Sequence, residues 1–395
     1  MREVAVIGVG VTKFGELWNK SFRSIGIEAG LKAIEDAGLA GNEIDGMYIG
    51  NMSAGRFINQ QHVDALIADY SGMASNHVPC TRVEAGEASG GVAFREGVMA
   101  VASGLQDYVV VAGAEKMTDL DDASINSILD TTSDSEWEAG MGITFASLYA
   151  MMAKRMINDG LATREEIASM AVNSHAHGAL NPNAQFRKAV KLETVLRSGS
   201  VAEPLGVFDC APISDGAAAV VLCPLEKAKE HTDAYAKVSA VVQKSDTLAL
   251  FQRDTITSFG ATVAAAKDAY AYAGIKPEDI SVAEIHDNYT VAGIMALEDL
   301  GFFGRGKAGK AVLEGKVTYG NGGNLVVTHQ AVSRHAVTRW VRQVWPRSLR
   351  SSISSEVRPM EDRSRMPNTG SHRASEVLVP LSPFQYWRRS DVIRS

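Results

Sequence analysis

The stretch Ala269-Tyr-Ala-Tyr-Ala-Gly-Ile-Lys-Pro-Glu-Asp-Ile-Ser-Val-Ala-Glu-Ile285 decides the fold, because the chain carries an earlier copy of it that begins at Ala33. The two copies align without a gap, with identical residues at Ala33/Ala269, Ala37/Ala273, Gly38/Gly274, Ile44/Ile280 and Ile49/Ile285. Each copy reads as an alanine-rich helix that ends at a glycine, followed by an acidic turn and a buried strand. The repeat therefore predicts two duplicated halves.

The rest of the chain alternates between short apolar runs and helical patterns. Apolar runs at 108–112 and 217–222 have the length of buried strands, and helical patterns occupy 89–103, 145–158 and 258–273. This alternation predicts an α/β fold whose sheets are buried and mostly parallel or mixed.

Composition suggests where the domains begin and end. We place the N-terminal half at residues 1–230, with a lid insertion rich in Met, Asn, Ser and Asp at about 117–207. The second half is placed at 231–330 and is predicted to be truncated or divergent. Residues 331–395 form a basic tail, rich in arginine and serine, that holds twelve arginines and no lysine. Two explanations of this abrupt change in composition stay open. One is a reading-frame change near codon 325, and the other is a true divergence, with a basic tail that docks a partner.

Overall composition restricts the class of protein. The chain has 395 residues, of which 46% are hydrophobic and 22% are charged, and this mixture is typical of a globular protein. Its net charge of -7 argues against nucleic-acid binding by bulk electrostatics. It lacks an apolar run long enough to span a membrane. The three cysteines, Cys80, Cys210 and Cys223, lack metal-ligand spacing and predict a reducing cytoplasm rather than disulfides or a zinc site.

Four motifs stand in a distinctive order. They read Thr81-Arg-Val-Glu-Ala-Gly-Glu87-Ala-Ser-Gly-Gly91, His177-Gly-Ala-Leu-Asn-Pro-Asn-Ala-Gln185-Phe186-Arg187, Asp209-Cys-Ala-Pro-Ile-Ser214-Asp215-Gly216 and Glu284-Ile-His286-Asp287-Asn288-Tyr289-Thr290. In order and spacing they resemble the thiolase superfamily, in particular its archaeal and sterol-carrier-type acetyl-CoA acetyltransferase branch. The resemblance covers roughly residues 1–325.

This resemblance implies both a fold and a chemistry. The fold would be an α/β, five-layered αβαβα sandwich of two duplicated halves, in agreement with the repeat, and the assembly a homodimer or larger. Members of the superfamily transfer acyl groups between thioesters of coenzyme A through a cysteine thiolate. Coenzyme A thioester is then a substrate, and the resemblance implies no covalently bound cofactor and no metal.

Glu87 stands where the family has that cysteine, in the pattern Val-Glu-x-x-Cys-Ala-Ser-Gly at the start of a buried helix. A helix N-terminus favours a thiolate, and the same field favours an ionised carboxylate. A carboxylate is a poor nucleophile towards a thioester, so the sequence disfavours thiolysis by the family route. Three interpretations stay open: Glu87 is a general base for a carbon–carbon bond reaction such as retro-aldol cleavage, it marks a non-catalytic subunit, or Cys80 has become the nucleophile.

The other candidate site residues come from the same resemblance. His286 falls where this branch has His-Asp-Cys-Phe, whose histidine helps to form an oxyanion hole. A strand-end histidine bonded to a backbone carbonyl is the alternative. His329 falls at about the distance of the family histidine that activates the nucleophile, although its flanking residues differ. Substrate or coenzyme A contacts are implied for Gln185, Phe186, Ser214, Gly322 and Gly323.

The function implied is acyl transfer of the acetyl-CoA C-acyltransferase type, or a related carbon–carbon bond cleavage on a coenzyme A thioester. The alternative is a non-catalytic structural subunit of an acyl-CoA-processing complex. This branch of the family often works with a small partner protein, which has a zinc ribbon and an oligonucleotide-binding-like fold and holds the coenzyme A chain.

Overall fold

The computed structural model describes residues 1–321, 325–329, 375–381 and 385–388. The strands are β1 (Val4–Val11), β2 (Gly46–Gly50), β3 (Cys80–Val83), β4 (Val109–Glu115), β5 (Ser200–Ala202), β6 (Leu205–Gly206), β7 (Gly216–Pro224), β8 (Ala236–Gln243), β9 (Ile280–Ile285), β10 (Val326–His329), β11 (Ser375–Leu381) and β12 (Gln385–Arg388). The helices are α1 (Phe22–Asp36), α2 (Ala54–Phe57), α3 (Val63–Ser71), α4 (Ser89–Ser103), α5 (Asp122–Asp130), α6 (Phe145–Asn158), α7 (Arg164–Ala179), α8 (Leu192–Leu196), α9 (Ala228–His231), α10 (Gly260–Ala273), α11 (Thr290–Asp299) and α12 (Ala308–Leu313). The helices predicted at 89–103 and 145–158 are thereby confirmed.

The repeated unit is present twice. Helix α1 leads through a 3₁₀ turn into β2, and α10 leads through the corresponding turn into β9. Gly38 and Gly274 end the two helices with φ of 67° and 66°, a left-handed conformation that glycine adopts without strain. Ala33 and Ala269 are both fully buried, because each helix lies close against its sheet. The predicted duplication is confirmed at the level of backbone conformation.

The strands of both halves form one continuous sheet. Its order is β10-β9-β12-β11-β8-β1-β7-β4-β2-β3, and the antiparallel pair β1–β8 joins the two halves. Each half contributes five strands to this order, with β3 and β10 at the outer edges of the part of the sheet that the structure describes.

Helices separate and cover the two halves of the sheet. Helix α4 packs against β2 and β4 on one side and against β8 and β11 on the other. Along β4, Val109 and Val111 face α4, whereas Val110 and Ala112 face α1 and α3, as the alternation of a strand requires. Helices α10 and α11 belong to the core of the second half. The continuous sheet therefore curls around α4, so that its two halves form separate layers in the order helix, sheet, helix, sheet, helix. The predicted αβαβα sandwich is confirmed.

The region expected to be a lid contains four helices, α5 to α8, and the small β5–β6 sheet, between β4 and β7. Two buried carboxylates fix its ends. Asp215 accepts hydrogen bonds from the Lys116 ammonium at 2.8 Å and from the backbone N–H of Met117 at 2.8 Å. Asp209 pairs with the Arg164 guanidinium at the start of α7. The insertion is thus tied to the strands on both sides of it.

Strands β11 and β12 come from the arginine-rich tail and lie between β8 and β9. Their directions break the symmetry of the two halves. In the first half β7 runs antiparallel to β1 and β4 runs parallel to β2, whereas β11 runs parallel to β8 and β12 runs antiparallel to β9. The tail fills the positions that the duplication requires, with both strands reversed.

No helix in the described part of the chain is both long and apolar enough to cross a membrane.

Candidate active site

Glu87 lies in the turn between β3 and α4, two residues before the helix begins at Ser89. Gly86 has a φ of 56°, which permits the sharp turn. The Ser89 hydroxyl closes it, since Oγ accepts a hydrogen bond from Ala85 N at 2.9 Å and donates to Gly86 O at 2.6 Å. The Glu87 side chain is 16% exposed, so it is mostly withdrawn from water while it remains close to a surface.

Two side chains from the second half contact the Glu87 carboxylate. His286 Nε2 and Asn288 Nδ2 each lie 3.0 Å from Glu87 Oε2, and the Asn288 amide donates to that oxygen. Both follow β9, and both are buried. Asn288 is held from two sides, because its Oδ1 accepts from Tyr289 N at 3.0 Å and its carbonyl accepts from Ala211 N at 2.7 Å. The two duplicated halves therefore meet at this carboxylate.

Asp287, between these two residues, anchors the turn. Its carboxylate accepts a hydrogen bond from the Ser174 hydroxyl of α7 at 2.9 Å. It is 2% exposed. The insertion therefore supports the turn that carries His286 and Asn288.

Aromatic rings form a wall beside the carboxylate. The ring of Tyr149, from α6, stacks on Tyr289 with centroids 4.3 Å apart, and Phe145 contacts both rings edge to face. The Tyr149 hydroxyl shares a hydrogen bond with the Asn288 side chain. Burial raises the pKa of Tyr149, and the negative charge of Glu87 adds to that effect. Tyr149 is therefore a neutral hydroxyl next to the carboxylate.

The three cysteines do not offer a reactive thiolate. Burial, assisted by the nearby Asp64 carboxylate, raises the pKa of Cys80 to about 11. Cys80 lies in β3 and its thiol donates to Val78 O at 3.3 Å. Burial likewise raises the pKa of both Cys210 and Cys223 to about 12. At neutral pH these thiols are protonated and weakly nucleophilic.

Gln185 and Phe186 line a cavity of about 990 Å³ next to the site. Asp287 and Thr290, which flank Asn288 and Tyr289, belong to the same cavity wall, together with the segment 210–213. Most of the wall is apolar, and Arg187, Lys188 and His175 add basic and aromatic groups. Burial lowers the pKa of His175, whose ring stacks against Phe186 with centroids 6.1 Å apart.

Ser214, unlike Gln185 and Phe186, does not line this cavity. It is 8% exposed, and its hydroxyl donates to the side-chain oxygen of Gln185. Gln185 in turn donates to Ile213 O at 3.3 Å. Ser214 thus orients Gln185 from behind the cavity wall.

His329 and the two implied glycines are described only in part. The backbone of His329 lies in β10 opposite Ile285 of β9, one residue before His286. Gly322 and Gly323 fall outside the described residues, so their roles stay predictions. Sequence reasoning gave no role to Asn288 or Tyr149. Asn288 sits inside a recognised motif, whereas Tyr149 lies in an insertion helix, where no local pattern distinguishes it.

Metal ligation finds no support in the described ranges, because no group of three or more His, Cys, Asp or Glu side chains there is placed to hold an ion.

Comparison with known proteins agrees with this architecture. A model of the thiolase N-terminal domain matches residues 4–226, and a model of the thiolase C-terminal domain matches residues 242–331. An acetyl-CoA acetyltransferase of Methanothermobacter thermautotrophicus is 53% identical over 315 residues, which are 80% of this chain and 81% of that protein. The benzoylsuccinyl-CoA thiolase subunit BbsB of Thauera aromatica is 33% identical over 329 residues, which are 83% and 82% of the two chains.

A solved structure, the Ltp2-ChsH2(DUF35) aldolase, superposes with a TM-score of 0.71 and 27% identity, and covers 83% of this chain and 85% of its own. The resemblance drawn from the sequence motifs is confirmed by these matches, including its archaeal branch. The chain therefore belongs to the thiolase family.

Proposed function

We propose that this protein acts on a coenzyme A thioester and uses Glu87 as a general base and acid for cleavage or formation of a carbon–carbon bond. The observation that supports this proposal is the position of the Glu87 carboxylate, 3.0 Å from both His286 Nε2 and Asn288 Nδ2. The sequence motif predicts that this is the position of the family's cysteine. The family's acyltransferase chemistry supplies the thioester substrate, and the carboxylate changes how the bond is broken.

A covalent acyl intermediate on Glu87 would be higher in free energy than the thioester substrate. Attack of a carboxylate on a thioester would form a mixed anhydride, which is less stable than the thioester that is consumed. The two hydrogen bonds to Oε2 also reduce the nucleophilicity of that oxygen while they hold it in one orientation. Both effects favour proton transfer over nucleophilic attack.

The proposed reaction is the retro-aldol cleavage of a 3-hydroxyacyl-CoA. Glu87 accepts the proton of the 3-hydroxyl group, the C2–C3 bond breaks, and its electron pair moves to the thioester carbonyl to give an enolate. C3 leaves as an aldehyde or ketone. The enolate oxygen is stabilised by donors at the turn that carries His286 and Asn288, and the proton held by Glu87 returns to C2. The products are a carbonyl compound and a shortened acyl-CoA, and the carboxylate is regenerated.

We propose that the cavity of about 990 Å³ holds part of the coenzyme A thioester. Its volume falls within the range of small-molecule sites. Phe186 and the apolar wall suit the pantetheine chain, Gln185 supplies a fixed amide, and Arg187 and Lys188 supply positive charge for phosphates. Ser214 would act indirectly, through Gln185. Gly322, Gly323 and His329 stay predicted members of the site.

A direct test compares three forms of the protein on two substrates, 3-hydroxybutyryl-CoA for retro-aldol cleavage and acetoacetyl-CoA for thiolysis. The unmodified protein is expected to release acetaldehyde and acetyl-CoA from the first, and Glu87→Gln to lose this activity. Glu87→Cys restores the family nucleophile and is expected to gain thiolysis. Thiolysis by the unmodified protein that is undiminished in Glu87→Gln would contradict the proposal.

A second candidate function is a non-catalytic subunit of an acyl-CoA-processing complex. The glutamate at the position where the sequence motif predicts the family cysteine favours this candidate. Two related proteins also favour it, because one relative is named a subunit and the aldolase structure is named with a DUF35 protein. A small zinc-ribbon protein of the kind described above would complete the site, and the chain would form homodimers in the cytoplasm. This candidate predicts coenzyme A binding without turnover of either substrate, both alone and with such a partner.

A further inference from the structure

A second cavity, of about 680 Å³, lies in the first half, and neither Glu87 nor its partners His286 and Asn288 are among its lining residues. Its floor is the face of β2 and β4 that points away from α4, with Met47, Ile49 and Val110, and its walls are α1 and α3. The volume lies within the range of about 300 to 1,000 Å³ that is typical of small-molecule sites. Neither the proposed reaction nor its substrate uses this space.

The cavity is closed at one end and open at the other. A Cβ atom on Gly26 would lie 2.9 Å from Ile67 Cδ1, so α1 and α3 touch at that point. Further along α1, Gly30 also lines the cavity, and a Cβ atom placed there would meet no atom within 4 Å. Glycine weakens the middle of a helix relative to alanine. No packing contact requires glycine at position 30, and its missing side chain leaves the cavity open.

The lining chemistry specifies the kind of molecule that fits. The interior is apolar, whereas the polar lining side chains are Glu35, Asn42, Ser71 and Asn76. Glu35 is the single ionisable side chain among the described lining residues, and it is exposed. Amide and hydroxyl groups both donate and accept hydrogen bonds, as an alcohol does. An aliphatic molecule with a carboxylate head group would instead be repelled by the negative charge of Glu35, because none of the described lining residues is a cation.

We propose that this cavity binds an aliphatic molecule that carries a hydroxyl head group, with the chain along α1 beside Gly30 and Leu31 and the hydroxyl among Asn42, Ser71 and Asn76. Such a molecule would stabilise the first half without contact with the Glu87 site. The proposal is independent of the reaction assigned to Glu87.

The test uses 1-decanol as the probe and isothermal titration calorimetry as the measurement. The unmodified protein is expected to bind 1-decanol saturably, and Gly30→Leu is expected to weaken that binding at least tenfold by filling the cavity. Decanoate should bind at least tenfold more weakly than 1-decanol. Gly30→Ala, which fits the helix, is expected to keep the melting temperature and to weaken binding less than Gly30→Leu.

The matched control is Ala171→Leu, which adds the same side chain to the cavity of about 990 Å³ instead. It should leave the 1-decanol site unchanged. The proposal is overturned by three results: no saturable binding to the unmodified protein, binding that survives in a folded Gly30→Leu variant, or binding that Ala171→Leu removes and Gly30→Leu does not.

Discussion

His286 Nε2 lies 3.0 Å from Glu87 Oε2, although the two residues come from different halves of the duplicated chain. Each stands at the point where a strand ends, His286 after β9 and Glu87 in the turn after β3. The contact exists because α4 lies between the sheets of both halves, so that its N-terminus meets the strand ends of the second half. The proposed active site thus depends on the duplication, because each half contributes one of these two residues.

This contact predicts that Glu87 and His286 act as one unit. Glu87→Gln and His286→Asn are each expected to lower kcat/KM for 3-hydroxybutyryl-CoA by about 100-fold or more. The first variant removes the proposed base, and the second removes the side chain that orients this base and donates to the developing enolate. The double variant should be little worse than the poorer single variant. His77→Asn is the control, since His77 is exposed and has a φ of 54°, which asparagine tolerates. Multiplicative effects in the double variant would show that the residues act separately.

Tyr149 is expected to position the Glu87 carboxylate through Asn288, which bonds to both residues. Tyr149→Phe removes the hydroxyl and keeps the ring that stacks on Tyr289. Loss of one hydrogen bond corresponds to about a tenfold reduction in kcat, with KM little changed. Because the pKa of Tyr149 is raised, its hydroxyl stays protonated, and the reduction should be the same at every pH from 6 to 9. Tyr272→Phe, at an exposed position, is the control. A reduction that appears only at high pH would contradict this role.

The Lys116–Asp215 pair is expected to be essential for stability. The side chains are 1% and 0% exposed, so Lys116→Met leaves a buried carboxylate without its cation. The expected loss is about 3 kcal/mol in the free energy of unfolding measured with urea. Arg155→Met is the matched control, because the Arg155 and Asp159 side chains are 60% and 37% exposed and such pairs contribute less than about 1 kcal/mol. Equal losses in the two variants would contradict the argument.

The sequence predicted those parts of the fold that rest on local patterns. The repeat that ends at Gly38 and Gly274 is visible because a helix, a glycine cap and a strand are encoded within about twenty residues. Glu87 and His286 could be identified because their motifs are contiguous. Their meeting at 3.0 Å required the packing of both halves around α4, and no local pattern contains that information.

Contacts made by the insertion could not be predicted in the same way. Tyr149 reaches the site from α6, and Ser174 reaches Asp287 from α7, so both depend on how the insertion folds back. The order of β11 and β12 in the sheet was equally inaccessible, since neither the repeat nor the family motifs extend into the tail. Long-range contacts of this kind follow from topology, and residue spacing alone does not determine them.

The tail leads to a prediction about the gene. Strands β11 and β12 occupy the expected places in the sheet with reversed directions, as a segment of unrelated sequence would if it filled a vacant position. We expect the nucleotide sequence after codon 325, read in another frame, to encode a glycine-rich motif with Gly-His-Pro. Sequencing of the gene checks this directly. If neither alternative frame encodes such a motif, the tail is a true divergence.

Asp299, at the end of α11, should make stability depend on pH. Burial raises its pKa to about 6 from the ordinary value of 3.8, although hydrogen bonds from Phe259 N and the Ser258 hydroxyl partly oppose this shift. The folded state therefore binds the proton more tightly than the unfolded state. The stability that Asp299 contributes is complete below about pH 4 and is lost as pH rises through 6, and two pKa units correspond to at most about 3 kcal/mol.

Asp299→Asn removes this titration. It also replaces one of the two oxygens that accept hydrogen bonds from Ser258 and Phe259, and the resulting loss of stability does not depend on pH. The difference in unfolding free energy between the unmodified protein and Asp299→Asn should therefore fall by about 2 kcal/mol from pH 4 to pH 7. Urea titrations at closely spaced pH values measure it. Parallel curves for the unmodified protein and Asp299→Asn would mean that burial does not perturb this carboxyl group.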